Sequence, residues 1–278
     1  MLRTIADLEN VTQERVAEAC ASVRLKDAVL RQMRKDSRRI GITREQYLAA
    51  LETLEPVECP TCGGSGQVTP QIRSVGVVHP SSAHCCRARL YYDLVAEHEV
   101  EQELDPALVI TFEIGHAIHR ICQRALRAAF PNFESEVRVD LPEAFVQGGS
   151  ADGVLDTGDL RVLIELKTIG DSSFKDLRKP KEDHTVQTAI YATALDTPII
   201  AYLYISKGPS HPMKEFVVPY DGAIYRKWLL EKVAPIDEAL SAGKPPVADA
   251  KKYECEECAH GTHCPQNLAK IRDPFRRS

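Results

Sequence analysis

Two strand-like runs, Gly149–Asp156 and Arg161–Thr168, are joined by Thr157-Gly158-Asp159, and this hairpin constrains the chain more than any other feature. A glycine between two polar residues marks a tight turn, so the runs pair antiparallel. In Ile164-Glu165-Leu166-Lys167-Thr168 the Glu and Lys are two apart, and on a strand both point to one face. Leu163 and Leu166 bracket them with apolar neighbours, as in a central strand. Charges on a buried strand are costly unless a metal or a partner compensates. Reflecting the hairpin about Gly158 sets Glu165 opposite Asp152. Two carboxylates brought together from adjacent strands repel unless a cation lies between them, and an all-oxygen pair suits a hard ion such as Mg²⁺ or Mn²⁺.

The flanking sequence supplies helices and further strands. Residues 106–130 read as a helix with Val109, Phe112, Leu126 and Phe130 apolar, and residues 134–140 alternate as a strand. A helix at 183–195, strands at 198–206 and 214–219, and a helix at 221–241 follow. The pattern is α/β from Val77 onward, which divides the chain into a helical extension, 1–70, and a main domain, 71–278. In the extension, residues 12–39 read as one charged amphipathic helix with Val16, Val23 and Leu30 at heptad spacing. Thr43-Arg44-Glu45-Gln46 opens a second, with Tyr47, Leu48, Leu51 and Leu54 as its apolar positions. This hairpin could be an oligomerisation arm joining two copies; packing on itself or on the main domain is the favoured reading.

No apolar run reaches the roughly 18 residues a membrane span needs, and the N-terminus lacks a secretory pattern, so the expected compartment is the cytoplasm. A net charge of −5 taken alone argues against a nucleic-acid partner. Metal-binding acids would add to that charge, however, and a local basic patch is enough. Lys175-Asp176-Leu177-Arg178-Lys179-Pro180-Lys181 offers one, with Lys175, Arg178, Lys179 and Lys181 as candidate DNA contacts.

Nine cysteines in such a chain read as metal ligands before disulfides. Cys20 and Cys122 stand alone in helical patterns and read as small core residues. Cys59-Pro60-Thr61-Cys62 with glycines behind it is half a zinc knuckle, its other ligands being His79 and His84, or the same pair from a second subunit. The plain alternative is a Gly-rich linker with two free thiols. Cys85 and Cys86 form a third group, and Cys255, Cys258 and Cys264 a fourth.

Taken in order, Gly115-His116-Ala117-Ile118-His119, Gly149-Ser150-Ala151-Asp152, Glu165-Leu166-Lys167 and Gln187-Thr188-Ala189-Ile190-Tyr191 resemble the motifs of RecB-type PD-(D/E)XK nucleases. The match covers roughly residues 77–270 and implies a restriction-endonuclease-like core, a mixed sheet flanked by helices. It implies a Mg²⁺ or Mn²⁺ held by Asp152, Glu165, the Leu166 carbonyl and His119. Lys167 would orient or deprotonate the attacking water and offset charge on the phosphate. A neighbouring divalent ion is expected to lower the proton affinity of Lys167. Gln187 and Tyr191 would fix Lys167 and touch the DNA backbone from one helix face; His116 is expected to be structural.

Ser81-Ser82-Ala83-His84-Cys85-Cys86-Arg87, with Cys255-Glu256-Glu257-Cys258 and Cys264, is similar to the iron–sulfur nucleases of the AddB and CRISPR-associated exonuclease type. The likeness implies a structural [4Fe–4S] cluster on Cys85, Cys255, Cys258 and Cys264. Cys86 stands where that family has proline, which leaves the choice between Cys85 and Cys86 open. The alternative is zinc on the same cysteines, with His260 or His263. The function implied is metal-dependent DNA hydrolysis, by exonuclease action on single strands or duplex ends. No helicase motif is present, so unwinding would fall to a helicase or recombination partner. Competing readings are a non-cleaving DNA-binding protein on the same fold and a zinc-dependent assembly protein.

Overall fold

The computed structural model describes residues 13–39, 76–95, 106–256 and 258–267. Its centre is a sheet in the order β1-β2-β3-β4-β5, formed by Phe133–Leu141, Val146–Asp156, Arg161–Ile169, Ile199–Ser206 and Met213–Pro219. All neighbours are antiparallel except β3 and β4, which run parallel. Parallel neighbours need a crossover, and helices α5 (Asp171–Asp176) and α6 (Glu182–Leu195) supply it. Strand β4, Ile-Ile-Ala-Tyr-Leu-Tyr-Ile-Ser, is buried along its whole length. Such a run, apolar on both faces, belongs at the inside of a sheet covered on both sides.

Two cores cover those sides. On one, Val154, Leu163, Tyr202 and Tyr204 pack against Ala189, Ile190 and Ala192 of α6 and against Tyr225, Trp228 and Ile236 from the helices after β5. Those are α7 (Gly222–Trp228), a π turn at Leu229–Val233, and α8 (Ala234–Ala242). On the other, Val162, Ile164, Leu166, Ala201 and Leu203 meet Cys122 and Leu126 of the long helix α4 (Pro106–Ala129). Cys122 is fully buried, which agrees with its reading as a core residue.

Residues 13–39 close the second core, with Ala19, Leu25 and Val29 buried in it. They form two helices, α1 (Gln13–Val23) and α2 (Leu25–Arg39), where the sequence predicts one. The break is at Arg24, in the left-handed region at φ 32°. The Glu215 carboxylate of β5 accepts from the amides of Leu25 and Lys26 at 3.0 and 3.2 Å, so α2 is capped from a residue far along the chain. A second correction concerns α4. Phe112, expected on its apolar face, is 48% exposed because the first half of the helix runs past the second core.

The β2–β3 hairpin turns where expected, with Gly158 at φ 89° and the Thr157 amide donating to the Leu160 carbonyl at 2.9 Å. Pairing runs from Asp156↔Arg161 only to Gly153↔Ile164. Beyond that point β2 pairs with β1 alone and β3 with β4 alone. The sheet therefore forks at the next register position, that of Asp152 and Glu165.

Candidate active site

The fork gathers the residues singled out in sequence. The Leu166 amide has lost its ladder partner and donates to Asp152 Oδ2 at 2.7 Å. The other oxygen of Asp152 meets His119 Nδ1 from α4 at 3.1 Å. Glu165 Oε1 is 2.6 Å from Lys167 Nζ, which also donates to Gln187 Oε1 of α6 at 2.7 Å. Gln187 Nε2 donates in turn to the Tyr191 hydroxyl at 3.0 Å. The i,i+4 spacing on α6 is thus a relay that holds the lysine from the far side. His116 is on the exposed side of α4, 3.7 Å from Glu113.

Burial makes this cluster electrostatically strained. Glu165 is 1% exposed, and its second oxygen, Oε2, is buried with no hydrogen-bond partner among the described residues. Burial pushes its carboxyl up to about 7, with Asp152 adding to the rise and Lys167 opposing it. For His119 burial disfavours the cation, but the hydrogen bond and charge of Asp152 outweigh it and the net direction is upward. Lys167 is also pushed up: burial works against its charge, yet Glu165 beside it more than compensates. An orphaned buried oxygen on Glu165, with the Asp152 carboxylate and the His119 imidazole near enough to act on its charge, fits a hard divalent cation, whose charge would remove the penalty Glu165 carries.

Three residues of the site were missed in the sequence. Gln123, 4% exposed, donates to Glu136 Oε1 at 2.5 Å and to the Asp152 carbonyl at 3.1 Å. Glu136 takes a second bond from Ser150 Oγ at 2.8 Å. The signal for Gln123 was its place four residues after His119 on α4; Glu136 and Ser150 needed the β1–β2 register. Gly115 has a role of its own. A Cβ there would come within 3.1 Å of Thr168 Oγ1, so the glycine lets α4 lie close over the end of β3 and carry His119 into the fork.

The cationic segment lies at the approach to α6. Lys175 is exposed and paired with Asp171 at 2.7 Å, and Arg178 donates to the Lys175 carbonyl. Lys179 is exposed, while Lys181 is half-buried as its amide donates to the Tyr204 hydroxyl at 3.1 Å. Lys214 Nζ of β5 anchors the segment by donating to the Phe174 and Leu177 carbonyls.

A second site lies on the flank. Cys85, Cys86, Cys255, Cys258 and Cys264 line one cavity of about 210 Å³ together with His260. Helix α3 (Arg87–Val95) and the short α9 (Lys252–Glu256) form its walls. Burial raises the Cys85 thiol, with Arg89 and Lys232 opposing, and raises Cys258, with the neighbouring His260 backbone and Arg89 opposing. Among the described residues no three His, Cys, Asp or Glu side chains are already drawn round one point as ligands of a bound ion are. The donor chemistry, thiols gathered from Cys85–Cys86 and from Cys255–Cys264, fits a soft metal group. Cys59 and Cys62 lie outside the described residues, as does the Cys20 side chain.

No family model matches the chain, and no curated protein does. Among solved structures it is similar to SSO0001, at 21% identity over 71% of this chain and 89% of that one, TM-score 0.47. It is similar to the alkaline exonuclease LHK-Exo from Laribacter hongkongensis at 17% identity, 61% and 90% coverage and TM-score 0.45. A phage-related exonuclease from Haemophilus somnus 129PT matches at 10% identity, 60% and 96% coverage and TM-score 0.41.

Proposed function

We propose that the chain is a metal-dependent DNA nuclease of the PD-(D/E)XK type, working at the ends of linear duplexes or on single strands. The observation that carries this reading is the fork, where Asp152, Glu165 and Lys167 meet and the Glu165 Oε2 atom is buried without a partner. A stability role does not account for it, since a buried, unpaired carboxylate oxygen costs folding energy.

Asp152, Glu165, His119 and the Leu166 carbonyl would hold Mg²⁺ or Mn²⁺, which supplies Lewis-acid polarisation of a phosphoryl oxygen and a more acidic water. The protein's own part is positional. The Leu166 amide fixes the Asp152 carboxylate, and Gln187 holds Lys167 with Tyr191 behind it. Lys167, so placed, would orient the attacking water and offset charge gathering on the phosphate. Lys175, Arg178, Lys179 and Lys181 would follow the DNA backbone towards α6, a contact that weakens with salt. The cysteine cavity would carry a thiolate-bound metal group, [4Fe–4S] on Cys85, Cys255, Cys258 and Cys264, that joins the two ends of the domain rather than taking part in hydrolysis. Cys59 and Cys62 would take zinc separately, and a helicase would supply unwinding.

The test is degradation of end-labelled linear, circular and single-stranded DNA with and without Mg²⁺ or Mn²⁺. Linear and single-stranded DNA should be degraded only with the metal, and Glu165→Ala or Asp152→Ala should abolish cleavage while the fold persists. Near-wild-type cleavage by Glu165→Ala would overturn the assignment.

A further inference from the structure

We propose that His260 is a nitrogen ligand of the metal group in the cysteine cavity, held in ligand form by Asp93. The inference rests on the reading of that cavity as a metal site and gives one of its four ligand positions to the His260 nitrogen in place of a thiolate. His260 is 4% exposed and lines the cavity with Cys85, Cys255, Cys258 and Cys264. Its Nε2 is 2.7 Å from Asp93 Oδ1. A carboxylate only accepts, so Nε2 is the donating nitrogen and Nδ1 of the neutral ring keeps a lone pair. That Nδ1 is buried and has no hydrogen-bond partner among the described residues.

An imidazole whose second nitrogen donates to a carboxylate is the usual arrangement of a metal-bound histidine, because the carboxylate fixes both tautomer and ring direction. The ring is held further by Tyr92, with centroids 5.5 Å apart, and Asp93 Oδ2 lies 4.0 Å from Arg89 Nε. Orientation has therefore been settled from both sides of the ring, while the nitrogen so oriented is left without a protein partner. Thiol and imidazole also sit on one short turn, Cys258-Ala259-His260, closed by the Gly261 amide donating to the Cys258 carbonyl at 2.8 Å. His263, the other histidine of this segment, is exposed.

The test uses the full-length protein reconstituted anaerobically with Zn²⁺, its coordination read by X-ray absorption and its affinity by chelator competition. Wild type should show a nitrogen shell at about 2.0–2.1 Å beside sulfur at about 2.3 Å. His260→Ala should lose the nitrogen shell and keep sulfur. Asp93→Asn should keep the nitrogen shell and bind roughly 10- to 100-fold more weakly. His260→Cys guards against misfolding of the alanine variant and should bind zinc through sulfur only. A sulfur-only shell in wild type, or a nitrogen shell surviving in His260→Ala, overturns the ligand assignment. Absence of bound zinc in folded wild type overturns the metal-site reading with it. None of these outcomes bears on DNA cleavage at the fork.

Discussion

Glu165 and Lys167 stand 2.6 Å apart in a site where burial penalises both charges, and the two differ in what relieves them. Lys167 has Gln187 as a second partner; Glu165 Oε2 has none among the described residues. In metal-free protein the raised carboxyl, at about 7, means that the folded state holds this proton more tightly than the unfolded chain does. Stability from this group is therefore present below the ordinary glutamate range and is lost as pH rises towards 7. Glu165→Gln should flatten that loss, so chelated wild type and variant should diverge in thermal unfolding between pH 5 and about 7.5. Added Mg²⁺ should restore wild type at the upper end and leave the variant unmoved. Parallel pH curves would show that Glu165 is not the strained group. Lys167→Ala should lower the cleavage rate by about 10²-fold or more. DNA binding should fall much less, because the segment 175–181 remains; equal losses in binding and rate would make Lys167 a phosphate anchor instead.

At the scale of elements, the site exists because β2 and β3 part company after Gly153↔Ile164. Helix α4 closes one side of the gap through Gly115 and His119, and α6 the other through Gln187. The helices at 13–39 brace this arrangement, since α2 packs with α4 in the second core and takes its cap from β5. Removing that cap with Glu215→Ala should cost about 1 kcal/mol, the usual scale for losing an N-terminal cap. In a chain of this size that corresponds to roughly 2–4 °C in melting temperature. Amide exchange over Leu25–Val29 should quicken in the same variant. An unchanged melting curve with unchanged exchange would show that burial of Leu25 alone fixes the helix start.

Across the whole molecule, the cysteine cavity joins the segment before α3 to residues 248–267. Protein contacts already tie these parts together. Trp228 Nε1 donates to the Ala83 carbonyl at 3.0 Å, and Lys232 Nζ to the Cys85 carbonyl at 2.8 Å. Asp249 accepts from the Arg87 amide and from Lys232. If the cavity holds the proposed metal group, its loss should therefore loosen Lys252–Asn267 without unfolding the rest of the protein. Cys255→Ser, Cys258→Ser and Cys264→Ser should each lower iron or zinc per chain and the melting temperature together, while Cys59→Ser leaves iron unchanged. Metal analysis beside thermal unfolding checks this, and iron lost in Cys59→Ser but kept in Cys85→Ser would reassign the ligands. No helix among the described residues is long and apolar enough to cross a membrane.

The elements of the hairpin were legible in the sequence because period and turn chemistry are local: Thr157-Gly158-Asp159 sets the turn, and counting outward from it brings Asp152 and Glu165 to the position just past the last pair, Gly153↔Ile164. The facing of Glu165 with Lys167, and of Gln187 with Tyr191, followed likewise from strand and helix repeats. Tertiary structure alone decided the break at Arg24, since its cap comes from Glu215 on β5. It also decided that Phe112 stays exposed, because the reach of the second core along α4 is no property of the helix. The fork is of the same kind: β1 and β4 hold the outer edges of β2 and β3 on past Gly153↔Ile164, where the ladder the two strands share comes to an end. Gln123 and Glu136 belong to the site only through that arrangement, and so does the unpartnered oxygen of Glu165. Sequence patterns fix which residues share a face; which faces meet, and what is left unpaired between them, depends on packing over the whole chain.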